Sequence, residues 1–343
     1  MRLQPLVQLI LAKLREFIRE PEAVFWVFIF PLLLTLALGV AFRSRGPEPL
    51  AVGVEDGPQS ALVVAALEVD PQLKVVLLSH ATAGQELRSG RVTLVVLPGA
   101  PPTYWHDPTR DDARVALMLV DAALQRTAGR VDQFAPAERL MTEKGSRYID
   151  FLVPGLLGMN LMGTGMWGIG FSIVNSRSRK LLKRLAATPM RRSDFLLAQV
   201  GGRMVFLVLE VAVLLSFAGW AFDVPIRGSI FTLAVVAMLS GATFSGLGLL
   251  VASRAQTVEG VSGLMNMVML PMWLLSGTFF STSRFPEFLQ PLVRVLPLTA
   301  VNDALRRVML DGASVGALGP DLMVIGLWAA ASFTSALWLF RWR

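Results

Sequence analysis

GSIFTLAVVAMLSGATFSGLGLLVAS (228–253) contains no charged side chain, and its polar members are serines and threonines. At about 1.5 Å of rise per residue, a helix of this length crosses a hydrocarbon core of about 30 Å. Five comparable runs lie at 23–42, 151–175, 204–222, 260–283 and 322–340. Buried helices of a soluble protein would need polar faces that these runs lack. The sequence therefore predicts an all-α polytopic membrane domain with six transmembrane helices, occupying 22–42 and 150–343. Composition agrees: of 343 residues, 54% are apolar and only 17% charged.

The first run is a poor secretion signal, because about twenty residues precede it and Arg43 and Arg45 follow it, so it reads as a membrane anchor. Segments on one side of the predicted spans carry Arg2, Lys13, Arg15, Arg19, Arg177, Arg179, Lys180, Lys183, Arg184, Arg191, Arg192, Arg203, Arg254, Arg341 and Arg343. The short segments opposite carry only Arg227, Arg284, Arg294, Arg306 and Arg307. The positive-inside rule then puts both termini in the cytoplasm of a multi-pass protein of the cell's inner membrane. The net charge of +7 is explained by orientation and lipid contact, and the basic residues form no soluble face that would fit nucleic acid. With no cysteine and only His80 and His106, thiolate metal sites and disulfides are excluded.

Segment 43–149 reads as an inserted small α/β extracytoplasmic domain. PLAVGVED (49–56), KVVLLSH (74–80) and VTLVVLPG (92–99) have the form of short strands, while 59–69, 81–90 and 111–130 read as helices. Asp56, His106 and Asp107 are expected in turns and on the surface. Ahead of the first span, Val7, Ile10, Leu11, Leu14, Phe17 and Ile18 recur at helical spacing, which predicts an interfacial helix over 1–21 that Pro21 stops. Pro31 is expected to kink the span that follows. In the segment 284–312, Val301, Leu305, Val308 and Met309 share a face after Pro297, with Arg306 and Arg307 directed elsewhere, which predicts a helix at the outer interface.

The chain lacks any Gly-Lys dipeptide and so has no phosphate-cradling loop. It also has no His-Glu-x-x-His helix and no Gly-x-Ser-x-Gly elbow. The chain itself is not expected to be an enzyme or to hold a cofactor. Glu210 is read as the one ionisable residue well inside a span, requiring a proton or a hydrogen-bond partner such as Asn160, Asn266 or a threonine; on that reading Glu210→Gln is tolerated. These three are candidates for a transport path, against a plain helix contact. Thr164, Gly168 and Ser172, and Gly241 with Ser245, are small residues spaced for close helix approach. Met265, Met267, Met269 and Met272 read as packing. SRSRKLLKRLAATPMRRSDFLLAQ (176–199) sets seven basic residues against one acid and places Leu181, Leu182 and Leu185 ahead of Pro189, a short amphipathic helix suited to a partner's groove.

Three stretches carry a family resemblance. FIREPEAVFWVFIFPLLL (17–34) resembles the entry from connecting helix to first span in the ABC-2 type transporter permeases, specifically those with a large outer domain between the first two spans. LKRLAATPMRRSDFLLAQ (182–199) is similar to their coupling segment, with Leu185, Thr188 and Pro189 in the usual places. LPMWLLSGTFFSTSRFPEFLQPLVRVLPLTAVNDALRRVMLDG (270–312) resembles their signature after the fifth span, Leu-Ser-Gly followed by two short outer helices and then Asp303, Leu305 and Arg306. The chain departs from the family where Glu-Arg-Glu-x-Gly-Thr is common, reading Ser176, Arg177, Ser178, Arg179, Lys180, Leu181, with Lys183 where an acid is frequent.

The resemblance implies an exporter built from two permease subunits, identical or similar, and cytoplasmic ATPase subunits that hold the ATP and magnesium. It assigns ATPase coupling to Arg179, Lys180, Leu182, Lys183, Arg184, Leu185, Thr188 and Pro189, and a connecting-helix gate to Arg15, Arg19 and Glu20. A secondary transporter would need paired ion sites in two repeat halves, which the sequence does not display. A membrane-anchored receptor or assembly factor would need only one or two spans.

Overall fold

The computed structural model describes residues 11, 15, 17–42, 49–131, 134, 145–180 and 192–339, the side chains of 192–197 excepted. It forms two compact units, one made of Met1–Arg43 with Met141–Arg343 and the other of Ser44–Leu140. Helix α1 (Pro21–Ala41) belongs to the first. Pro21 stands at its first positions after an extended Glu20, so the proline that interrupts the preceding helical residues also starts this one. The irregularity expected at Pro31 takes the form of a π turn over Phe25–Ile29 directly ahead of it. There the absent N–H and the ring disturb the normal i→i−4 ladder.

In the smaller unit β1 (Leu50–Glu55), α2 (Ser60–Glu68), β2 (Leu73–Leu78), α3 (His80–Arg88), β3 (Leu94–Leu97), β4 (Thr103–His106) and α4 (Asp111–Thr127) follow in order. The sheet runs β2-β1-β3-β4, with β1 parallel to both neighbours and β4 antiparallel to β3. Because helices cover both faces, the inner strands are almost uninterruptedly apolar. Val52, Val54, Leu94 and Val96 pack with Leu67 of α2 and Ala116 and Val120 of α4, while Val95 turns to the other face, where Leu78 and Ala83 lie. Asp107 Oδ1 accepts from Thr109 N at 2.9 Å and Thr109 Oγ1 at 2.7 Å, a local turn.

Tyr104 on β4 is tied to α4: its hydroxyl donates to Asp121 Oδ1 at 3.1 Å, and Asp121 Oδ2 accepts from Gln125 Nε2 at 2.7 Å. Burial, reinforced by the adjacent carboxylate, pushes the Tyr104 phenol from its ordinary 10.0 up to about 12. The fold therefore favours the protonated phenol, a contribution fully present below pH 10.0 and lost as pH rises through about 12. The chain has only two tyrosines. The difference in phenolate absorbance between native protein and Tyr104→Phe should accordingly show a midpoint near pH 12, and a midpoint near 10 would mean that the Asp121 contact is absent.

The larger unit continues with α5 (Tyr148–Ser178), α6 (Arg192–Phe222), α7 (Ile230–Ala252), α8 (Val258–Leu275), α9 (Gln290–Val295), α10 (Pro297–Met309) and α11 (Gly319–Leu339). Among the described residues, five helices are long and apolar enough to cross a membrane: Pro21–Ala41, Ala198–Phe222, Ile230–Ala252, Val258–Leu275 and Val315–Leu339. The sixth predicted run, 151–175, is the 31-residue α5. It is not among the five because glycines and Asn160 dilute its apolarity. Its burial fits this composition: Leu152, Leu157, Leu161, Met162, Met166 and Ile173 are wholly enclosed by neighbouring helices.

Two predicted boundaries move. The run expected to reach residue 283 ends as helix at Leu275, since Gly277 adopts φ +73 and turns the chain. Helix α6 starts at Arg192, so the second half of the predicted coupling segment is continuous with the apolar helix that ends at Phe222. The apolar face predicted for α10 exists, but Val301, Leu305, Val308 and Met309 are fully buried within the unit. Of its arginines, Arg306 turns inward and Arg307 stays partly exposed. Arg306 donates from Nε to Phe151 O at 3.2 Å and lies 3.7 Å from the Phe151 ring centroid, while Arg307 pairs with Asp321 at 2.7 Å.

Candidate functional site

Of the predicted coupling residues, Arg179 and Lys180 are described: both are exposed in the turn that ends α5, with Lys180 at φ 58. Leu182, Lys183, Arg184, Leu185, Thr188 and Pro189 lie outside the described residues. Arg15, Arg19 and Glu20 are exposed ahead of α1. Nearby, Phe17 meets the Phe206 ring of α6 with centroids 4.2 Å apart, fixing this entry against α6.

The most unusual chemistry sits between α5 and α6. Glu210 is 1% exposed, and its partner is a residue that the charge pattern assigns to a cytoplasmic flank: Arg203, 8% exposed, whose Nη2 donates to Glu210 Oε2 at 2.6 Å. Both side chains belong to α6, seven residues and so about two turns apart on one face. Arg203 Nη2 also donates to Thr164 Oγ1 of α5. The threonine's single proton goes to Asn160 O at 2.7 Å, with Glu210 Oε2 a weaker alternative at 3.4 Å. Glu210 is thus held as half of an ion pair, which alters the expected outcome for Glu210→Gln. Asn266 is exposed on α8 and does not join this group.

The cluster is not closed among the described residues: there Glu210 Oε1, Arg203 Nε and the amide nitrogens of Asn160 and Gln199 are buried without a hydrogen-bond partner. Gln199 Oε1 accepts from Ser172 Oγ at 3.2 Å, extending the polar seam along α5 and α6 towards the end of α5 and the start of α6. Buried polar groups in this condition carry a desolvation penalty of about 1–3 kcal/mol each, which makes the seam the place where a polar guest, water included, would gain most.

Two other polar contacts hold the helices at their ends. Asn302 of α10 donates from Nδ2 to Ser276 O at 3.2 Å and to Thr278 Oγ1 at 3.0 Å, pinning the turn after α8. Arg306 Nη2 donates to Gly277 O in the same turn. At the opposite end of α5, Arg177 donates from Nη1 to Ala252 O at 3.0 Å and to Ala255 O, and from Nη2 to Ser253 O at 3.1 Å. From the charge pattern, Arg177, Arg203 and Arg306 register as topological charges, with no signal of these contacts. A spacing of seven could have linked Arg203 to Glu210, but nothing local marks the other two contacts.

A family model described as ABC-2 type transporter matches residues 104–310, more than half of the chain. The probable multidrug ABC transporter permease YbhR of Escherichia coli (strain K12) is 23% identical over 191 residues, covering 56% of this chain and 52% of that protein. Nodulation protein J of Bradyrhizobium diazoefficiens is 25% identical over 205 residues, covering 58% and 76% respectively. ABC transporter G family member 20 of Dictyostelium discoideum is 26% identical over 170 residues, 50% of this chain but only 23% of that protein. The match therefore spans about half of YbhR and less than a quarter of the Dictyostelium protein.

Proposed function

The chain belongs to the ABC-2 type transporter family, and from that premise we propose that it is the membrane-spanning permease subunit of an ATP-driven exporter whose ATPase is a separate polypeptide. The observation that carries this reading is the family match over 104–310, which runs through the helices α5 to α8 and the buried α10. In this proposal α5 joins the five apolar helices as a sixth span, both termini face the cytoplasm and the 44–140 unit stands outside. Two such subunits, or one with a similar partner, flank a central path, and ATP and magnesium act in the partner ATPases. The Arg203–Glu210 pair with Asn160 and Thr164 lines a polar part of that path. The cargo is an amphiphile by the balance of a mostly apolar path with one polar seam.

Force enters through 178–189. Rim ion pairs from Arg179, Lys180, Lys183 and Arg184 add about 0–1 kcal/mol each and select the partner by charge, whereas burying a leucine contributes about 1.5–3 kcal/mol and supplies the anchor. Leu185→Asp should therefore lower co-purification of the ATPase by about tenfold or more, and Lys183→Glu by only a few-fold, the latter restored by reversing an acidic charge on the ATPase. Pull-down of each inserted variant with the ATPase subunit, together with permease-stimulated ATP hydrolysis, makes the measurement. If the native chain binds no ATPase, the exporter reading is wrong; if it binds but neither substitution alters binding, 178–189 is only a topology signal and the exporter reading loses its mechanistic support.

A further inference from the structure

Arg177 occupies the last turn of α5, immediately before the turn formed by Arg179 and Lys180 that leads into the segment assigned above to ATPase coupling. Its guanidinium reaches across to three carbonyls, those of Ala252, Ser253 and Ala255. Ala252 ends α7, Ser253 is its buried C-cap, and the chain then turns through Ala255 to Thr257, whose Oγ1 caps α8 by accepting from Gly260 N at 3.1 Å. The last carbonyls of a helix have no partner within it, and they sit at the negative end of the helix dipole. A planar fork of charged donors fits such a group of acceptors in a way that a lysine's point charge does not.

We infer that Arg177 is a positioning residue that makes the α7–α8 turn a second moving part of the transmission: displacement of the coupling end of α5 carries the end of α7 and the start of α8 with it. This rests on the permease reading proposed above. In the chain the coupling segment joins α5 to α6, so α7 and α8 receive its motion through their packing against α5 and, at the end nearest that segment, through this link. With the link, four helices respond to one push. The turn holds this geometry through backbone acceptors, which any sequence supplies, so the device depends on the single arginine.

The absence of native cysteine permits a direct test. Spin labels on Ser178→Cys and Glu259→Cys, both exposed positions, report the distance between the end of α5 and the start of α8. In the permease alone the native distance distribution should be narrow, while Arg177→Met should broaden it at least twofold and Arg177→Lys should give an intermediate width. In the assembled transporter, ATP should leave the native distance unchanged to within about 2 Å and shift it by more in Arg177→Met. Equal distributions in native protein and Arg177→Met overturn the tie. A large ATP-driven change in the native distance overturns the shared motion. Failure of the native chain to bind any ATPase would instead overturn the permease reading while the ATP-free comparison still decides whether Arg177 holds the turn. Should Arg177→Met fail to insert, Arg177→Lys carries the same comparison.

Discussion

Glu210→Gln should destabilise the larger unit by about 3–5 kcal/mol, the range measured when one member of a buried ion pair is removed and the other is left uncompensated. The amide can still accept from Arg203, but it offers no countercharge to a guanidinium that is 8% exposed. Arg203→Met should be comparably damaging, since it strands the carboxylate. The double variant Arg203→Met with Glu210→Gln should recover most of the loss, because a pair with Glu210 Oε1 and Arg203 Nε unpartnered has incompletely offset its desolvation. Unfolding in mixed micelles, followed for the native chain, both single variants and the double variant, measures the cycle. Single-variant losses that simply add in the double variant would mean that the two charges are not coupled. A double variant that is stable and still binds the proposed ATPase subunit, yet loses the proposed export, would locate the function of the pair in the transport path.

The pair also shows where sequence reasoning stops. Hydropathy bounds the apolar run at Met204 because Arg203 is charged, and a charge at the edge of such a run ordinarily marks the membrane surface. Helix α6 instead begins at Arg192, and its turns carry Arg203 to the face that holds Glu210. A carboxylate two turns away makes an otherwise prohibitive burial tolerable, so hydropathy alone places the boundary wrongly wherever charges pair internally. The same limit applies to Arg306, a surface charge by its sequence context but half-buried against Phe151 and the Gly277 turn.

Elements governed by short-range patterns are more legible. The strand readings at 49–56, 74–80 and 92–99 meet β1 over 50–55, β2 over 73–78 and β3 over 94–97, since continuous Val and Leu between turn residues leaves few other local structures. Strand β4 escapes such a reading: Thr103–His106 is four residues long, and Tyr104 and Trp105 alternate without an apolar run. Helix α5 reads as a span from its length, although its glycines and Asn160 keep it below the apolarity of the other five. What composition does not reveal is the reason for those glycines, which depends on a partner helix distant in sequence.

At the crossing of α5 and α7 that partner is again glycine. A Cβ on Gly248 would stand 2.7 Å from Met166 O, 2.9 Å from Met166 Cα and 3.2 Å from Gly165 O, all backbone atoms that cannot swing aside. A Cβ on Gly165 would in turn stand 2.9 Å from Phe244 Cβ. The helices are therefore in backbone contact, the arrangement that gives van der Waals attraction its greatest reach between spans in lipid. The sequence pointed to Thr164, Gly168 and Ser172 for this role, but Gly168 is exposed, with open space for 4 Å around the place a methyl group would take, so the contact lies three residues earlier on α5. Gly248→Ala should force the two helices apart and cost about 1–3 kcal/mol by overpacking. Gly168→Ala meets no obstacle, and by lowering the conformational entropy of the unfolded chain it should stabilise α5 by about 0.5–1 kcal/mol. The two substitutions add the same methyl group to one helix pair and are expected to move the thermal midpoint in opposite directions in the same detergent. If Gly248→Ala matched or exceeded the native midpoint, the α5–α7 crossing could not be as close as the backbone distances place it, and the rigid core against which Arg177 and the Arg203–Glu210 pair act would have to be looser than this geometry requires.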